Sequence, residues 1–287
     1  MEPTVARRLW TLYEPIHAVT YFAPEVTAAW EEAGVHGFWR GYFAGRAAPL
    51  APCPPEVVEA TFFGFAPTPV ARAIPSVWAL VTPEQALAVR VDGAVAALDG
   101  ALGPLGPLGP DEDEAAALLR AAAEAATGPG RALFAANAAA PWPSGVRAEL
   151  WHAATLLREH RGDGHVAALV AADLTGLEAN VLAVAAGPLT AARYQQVRGW
   201  SADEWSVTVA ALAERGLLDE TGAATDAAHA LRAAVEDATD RAALRPWLAL
   251  GPERVARLDA LLAPIVARLH ATDLIPDPNP IGVPRPT

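Results

Sequence analysis

The densest group of reactive side chains lies in Leu156–Leu169, LLREHRGDGHVAAL, set in an otherwise alanine-rich, apolar chain. Arg158, Glu159, His160, Arg161, Asp163 and His165 supply cations, carboxylates and imidazoles within about three turns of chain. Gly162 and Gly164 predict a break here, because glycine favours turns over helix interiors. Asp163 then stands where it could cap a second helix starting near His165. Polar side chains at such a corner form either a functional pocket or an ion-pair knot that fixes helix geometry. A second group, Glu14, His17 and Tyr21 in EPIHAVTYF, recurs at intervals of three and four, so an acid, an imidazole and a phenol share one helix face. Either a half-buried packing face or a proton-handling surface results. A third stretch, HGFWRGYFAGR, interleaves aromatics with Arg40 and Arg46, which suits stacking on a planar ligand or plain core packing.

From these residues the expected ligand is small and anionic or planar, held by Glu14, His17, Tyr21, Arg158, His160, Arg161, Asp163 and His165. The arginines would anchor the anion and the carboxylates and imidazoles would move protons. Whether a reaction is catalysed stays open. No H-x-x-x-H or C-x-x-C spacing occurs, so no metal site is expected. G-x-S-x-G, G-x-G-x-x-G and Walker loops are also missing, and no cofactor is expected.

Composition narrows the class. The chain has 287 residues, 53% of them hydrophobic and 19% charged, enough apolar material for a sizeable core. Its 21 basic residues are all arginine and face 33 acids, a net charge of −12. Duplex binding draws on clustered cations displacing counterions, so this balance opposes strong nucleic-acid affinity. Cys53 is the only cysteine, which rules out an intrachain disulfide and favours a cytoplasmic location. The run from His165 to Gly187 carries Asp173 and Glu178, reading as a buried helix pair and not a membrane span.

The elements that must position these side chains are helices. Two are expected within 5–33, then others near 55–63, 67–73, 83–101, 112–126, 129–138, 144–160, 176–186, 189–197, 226–242 and 251–270. Thr82/Gln85, Thr175/Glu178 and Ser201/Glu204 have capping-box spacing. The expected divisions are an N-terminal helical region at 1–102, a linker at 103–111, central helices at 112–164, a further domain at 165–270 and a Pro-rich tail at 271–287. The sequence Leu217–Thr225, with its turn at Glu220-Thr221-Gly222, suits a minimal two-stranded hairpin.

Helix, turn, helix, hairpin, helix is the winged-helix order. RGWSADEWSVTVAALAERGLLDETGAATDAAHAL resembles the recognition helix and wing of MarR-type regulators, on Arg215, Gly216, Leu217, Thr225, Asp226, His229 and Leu231. Nearly the whole chain is also similar to a helix-turn-helix-containing family of high-GC bacteria, through EPIHAVTYF, FWRGYFAGRAAPL, REHRGDGH and GWSADEW. The resemblance implies an all-α fold with a winged-helix-like C-terminal domain. It also implies a ligand-responsive regulator, a homodimer, meeting duplex DNA through Arg198, Ser201, Trp205 and Arg215. The departures are electrostatic: Glu220, Thr221 and Gly222 occupy the wing tip, and Asp203 and Glu204 open the recognition helix. They favour the alternative of a small-molecule-binding protein or enzyme that no longer binds DNA.

Overall fold

The computed structural model describes residues 1–103 and 109–285, and among these the regular structure is helical. The N-terminal region comprises α1 (Thr4–Phe22), α2 (Pro24–Glu32), α3 (Phe38–Ala47), α4 (Pro55–Phe62), α5 (Pro67–Ala73) and α6 (Pro83–Leu102). There follow α7 (Gly109–Glu124), α8 (Ala132–Ala138) and a long α9 (Val146–Ala171). The chain then forms α10 (Gly176–Ala185), α11 (Ala191–Arg198), α12 (Ala202–Glu214) and α13 (Asp226–Ala242), and ends with α14 (Arg245–Leu250) and α15 (Pro252–Ala271). All three predicted capping boxes form, each pairing the cap side chain with the N3 backbone and the N3 side chain with the cap backbone. Of the linker expected at 103–111, residues 104–108 lie outside the described part. Gly109 already belongs to α7.

Helix α9 is the axis on which the site is built. It packs against α1, α6, α7, α8 and α13. Its N-terminal half buries Leu150, Trp151, Ala154 and Leu157 in the main core, which also holds Leu9, Leu12 and Ile16 of α1 and Leu262 and Val266 of α15. Its last turns enter a second core: Leu169 joins Leu177, Val181, Tyr194, Trp205, Leu212 and Val235. One continuous rod therefore connects the helical body to the unit formed by α10–α13.

Two expectations are corrected by this architecture. First, the two-stranded wing does not form. A single isolated antiparallel bridge joins Leu218 to Ala224. The Asp219 carboxylate instead gathers the turn, accepting from Thr221 N (2.8 Å), Thr221 Oγ1 (2.7 Å) and Ala223 N (2.9 Å). Thr225 caps α13 immediately afterwards, so the chain has no length left for a ladder. The all-α class stands, and the winged-helix domain with its hairpin does not.

Second, the corner at 162–164 is absent, for α9 runs unbroken through both glycines. Asp163 does not start a helix at 165; its Oδ2 instead accepts from the backbone N of Phe134, in the first turn of α8, at 2.9 Å. Each helix-interior glycine costs about 1 kcal/mol relative to alanine, less than burying this turn between α8 and α13 returns. A β-carbon on Gly164 would stand 2.7 Å from Arg131 and 3.1 Å from Ala242, so close packing accounts for that glycine. The real bend comes later. α9 and α10 meet at 95°, with Asp173 at φ 54° between them.

Among the described residues no single helix is long and apolar enough to cross a membrane. The Pro-rich tail expected at 271–287 is docked through residue 285, with residues 286–287 outside the described part. Ile275 and Val283 bury against Ala18 of α1, and Asn279 closes a turn by donating to the Val283 carbonyl.

Candidate functional site

The site is assembled where α9 crosses α1 and α3. Trp151, Thr155, Arg158 and Glu159 occupy one stripe of α9 by helical spacing, and Glu14, His17 and Tyr21 occupy the facing stripe of α1. Thr155 Oγ1 donates to the Trp151 carbonyl (2.9 Å), so it accepts from His17 Nδ1 (2.9 Å). That fixes the proton of His17 on Nδ1 and leaves Nε2 to accept from the Tyr21 hydroxyl at 2.8 Å. His17 is held neutral: burial, with Arg158 nearby, pushes its pKa well below the usual imidazole value. Burial likewise raises the Tyr21 phenol to about 12.

Beside this chain of hydrogen bonds sits a fully buried carboxylate. Glu159 receives Arg46 through Nε and Nη2, each at 3.2 Å, and Arg158 Nη1 at 2.7 Å. Burial opposes its charge, but the two guanidiniums prevail and hold it far below the ordinary carboxylate range. Arg158 also lies 3.6 Å from Glu14, whose own pKa burial raises. Trp10 Nε1 donates to Glu14 at 3.0 Å.

The remaining predicted residues point elsewhere around α9. Arg161 reaches α13, where it pairs with Glu236 (3.0 Å) and Asp240 (3.2 Å) and lies 5.0 Å from the centre of the Trp10 ring. His165 Nδ1 meets Thr239 Oγ1 at 2.9 Å. His160 and Asp163 face α8. The His160 ring packs edge-on against Phe134, and burial lowers its pKa to about 3. Burial raises Asp163 to about 6. Thus Glu14, His17, Tyr21 and Arg158 come together, while the other four serve two separate helix contacts.

Arg46, Tyr42, Trp30 and Arg90, none of them in the expected ligand set, complete the cluster. Arg46 and Tyr42 sit in the aromatic–arginine stretch, a visible signal. Arg90 had a subtler one: it shares the buried face of α6 with Ala86, Ala94 and Ala97, a lone cation on an apolar stripe. Two adjoining clefts open here between α1, α2, α3 and α6. The outer, a shallow cleft of about 20 Å³, is bordered by Trp30, Phe38 and Tyr42; the inner, of about 10 Å³, reaches Arg46 and Arg90. Both are open to solvent. Among the described residues no group of three or more His, Cys, Asp or Glu is placed to hold a metal.

At the far end of α9, α11 and α12 are joined by the tight turn Gly199-Trp200-Ser201, with Gly199 at φ 82°. The four residues expected to meet DNA all have internal partners. Trp205 is in the second core, and Ser201 Oγ accepts from Glu204 N at 3.2 Å as the helix cap. Arg215 pairs with Glu178 at 2.7 Å. Arg198 donates to the Pro280 carbonyl at 3.2 Å and lies 4.7 Å from the centre of the Phe65 ring. Exposed on α12 are Asp203, Ser206, Val207, Ala210 and Glu214, and on α11 Arg193. No curated protein and no solved structure matches the chain. A match to the family described as the helix-turn-helix family extends over residues 6–276, taking in the body, α9 and the α11–turn–α12 unit alike, and the chain belongs to that family.

Proposed function

We propose that this protein is a ligand-responsive transcriptional regulator in which α11 and α12 present the DNA-reading surface and the helical body senses a small molecule. The observation that carries the reading is the family match across both parts, joined to the exposure of α12 along most of its outer face. Response to a ligand follows from α9. Its Arg158–Glu159 segment lies in the body's buried cluster and its Leu169 lies in the core of the α10–α13 unit. A shift of α9 at one end therefore displaces the other. Reading a palindromic duplex would take two copies.

Arg193 is an exposed cation in the first turn of α11, so it is the residue assigned to a phosphate. Fluorescence anisotropy with duplexes from the protein's own locus, at about 50 mM salt, tests this. Binding should weaken steeply with salt, and Arg193→Ala should weaken it several-fold across sequences while lowering the salt slope by about one. Failure to bind any duplex at that salt overturns the DNA reading. A second reading has its own observation, the presence of Asp203 and Glu214 on the outer face of α12 without a neighbouring cation on that helix. There the body binds a small molecule and the α11–α12 unit meets a protein surface.

A further inference from the structure

Arg90 is a buried cation without a carboxylate. It is 4% exposed, and its Nη1 donates to Asn137 Oδ1 at 3.1 Å. Its guanidinium lies 4.9 Å from the centre of the Trp151 ring. Among the described residues no Asp or Glu lies within ion-pair distance of it, and its other N–H groups have no acceptor. Burial accordingly lowers its pKa, whereas Glu159 keeps that of Arg46, equally enclosed, raised. Leaving a guanidinium uncompensated inside a protein is costly. What relieves that cost is an anion, and the inner cleft gives one a path to Arg90.

The lining fits one kind of anion. No acid lines the inner cleft. The Tyr42 hydroxyl accepts from Arg46 Nη1 at 3.3 Å, which leaves its own proton to donate into the space. Tyr21, by contrast, gives its proton to His17 and offers only an oxygen. The outer cleft is flat-sided and aromatic, with Trp30, Tyr42 and the half-exposed Phe38 around it. Gly41 and Gly45, one turn apart on α3, let the Trp30 ring lie directly on that helix as the inner wall: a β-carbon would stand 2.8 Å and 3.0 Å respectively from the ring. The space holds about one water as it stands, so the body of a ligand enters where the half-exposed Phe38 ring turns aside from the buried Trp30.

We propose that this cleft binds a small carboxylate carried on a flat apolar body. The carboxylate meets Arg90 and the Tyr42 hydroxyl, and the body lies between the aromatic rings of α2 and α3. The proposal supplies the ligand class for the ligand-responsive half of the reading above and rests on that half alone.

Calorimetric titration of the full chain without DNA, using benzoate, its neutral counterpart benzamide and inorganic phosphate, is the test. Benzoate should bind at least ten-fold more tightly than either of the others. Arg90→Met should weaken benzoate at least ten-fold and Tyr42→Phe several-fold. Equal binding of benzamide overturns the role of Arg90, and equal binding of phosphate overturns the role of the aromatic walls. Absence of benzoate binding at about 10 mM overturns the site itself. Should Arg90→Met fail to fold, crystals of the wild type soaked in 4-bromobenzoate decide: a bromine signal between Trp30 and Phe38 supports the proposal, and one elsewhere or none refutes it. A protein that binds benzoate and no duplex keeps the cleft and loses the regulator; duplex binding without benzoate does the reverse.

Discussion

Burial and charge partners compete at single residues in this protein, and the two buried acids of α9, Glu159 and Asp163, show the outcome in opposite directions. Glu159 has its folded pKa depressed by Arg158 and Arg46. Its contribution is therefore present above the unfolded value and is lost as pH falls through the acid range. Asp163 has its folded pKa raised from 3.8 to about 6, mainly by burial. A carboxyl that binds its proton more tightly when folded stabilises at low pH, and that stability is lost as pH rises from about 4 through about 6. Asp163→Asn removes the titration while keeping an oxygen to accept from Phe134 N. Urea unfolding should therefore show the stability of wild type relative to Asp163→Asn falling by about 2–3 kcal/mol between pH 4 and pH 7. A difference that does not change with pH would mean that Asp163 is not held protonated by its surroundings.

At the scale of elements, α9 separates what the sequence declares from what it hides. Capping boxes, prolines at helix starts and apolar periodicity are local, so α1, α2, α4–α6 and α10–α13 could be read with ends close to those observed. Gly162 and Gly164 were misleading because the force that keeps α9 straight is non-local: α8 on one side and α13 on the other. The same holds for the site. Spacing placed Glu14, His17 and Tyr21 on one face, but only the crossing of α1, α3 and α9 brings Arg46 to Glu159, 113 residues away. The two glycines themselves give a paired prediction. A β-carbon on Gly162 meets nothing nearer than 3.7 Å, so Gly162→Ala should stabilise by about 0.5–1 kcal/mol through helix propensity. On Gly164 the added carbon displaces the Arg131 guanidinium, which donates to the carbonyls of His160 and Ala242. Gly164→Ala should therefore destabilise by about 1–3 kcal/mol. Thermal melts of the two variants decide, and two changes of the same sign would show that Arg131 adjusts freely.

For the molecule as a whole, the opposing facts are a family built on a helix-turn-helix and a surface that repels phosphate. The net charge is −12, and the cations near the proposed DNA face are largely drawn inward. Arg198 ties α11 to the docked tail, and Arg215 ties α12 to α10 through Glu178. Substituting either would loosen the unit as well as remove a charge, so neither reports cleanly on DNA. The acids of α12 do, since Asp203 and Glu214 are exposed and form no ion pair among the described residues. Glu204 is left in place because it completes the cap with Ser201. If α12 enters the groove, the double variant Asp203→Ser/Glu214→Ser relieves repulsion against the backbone without disturbing the fold. Its affinity for duplex should exceed the wild type's several-fold at about 50 mM salt, with the advantage shrinking as salt screens it. If α12 instead meets a protein surface, the two proteins should bind duplex equally weakly at every salt concentration. The comparison thus reads the orientation of α12 directly, whatever the absolute affinity.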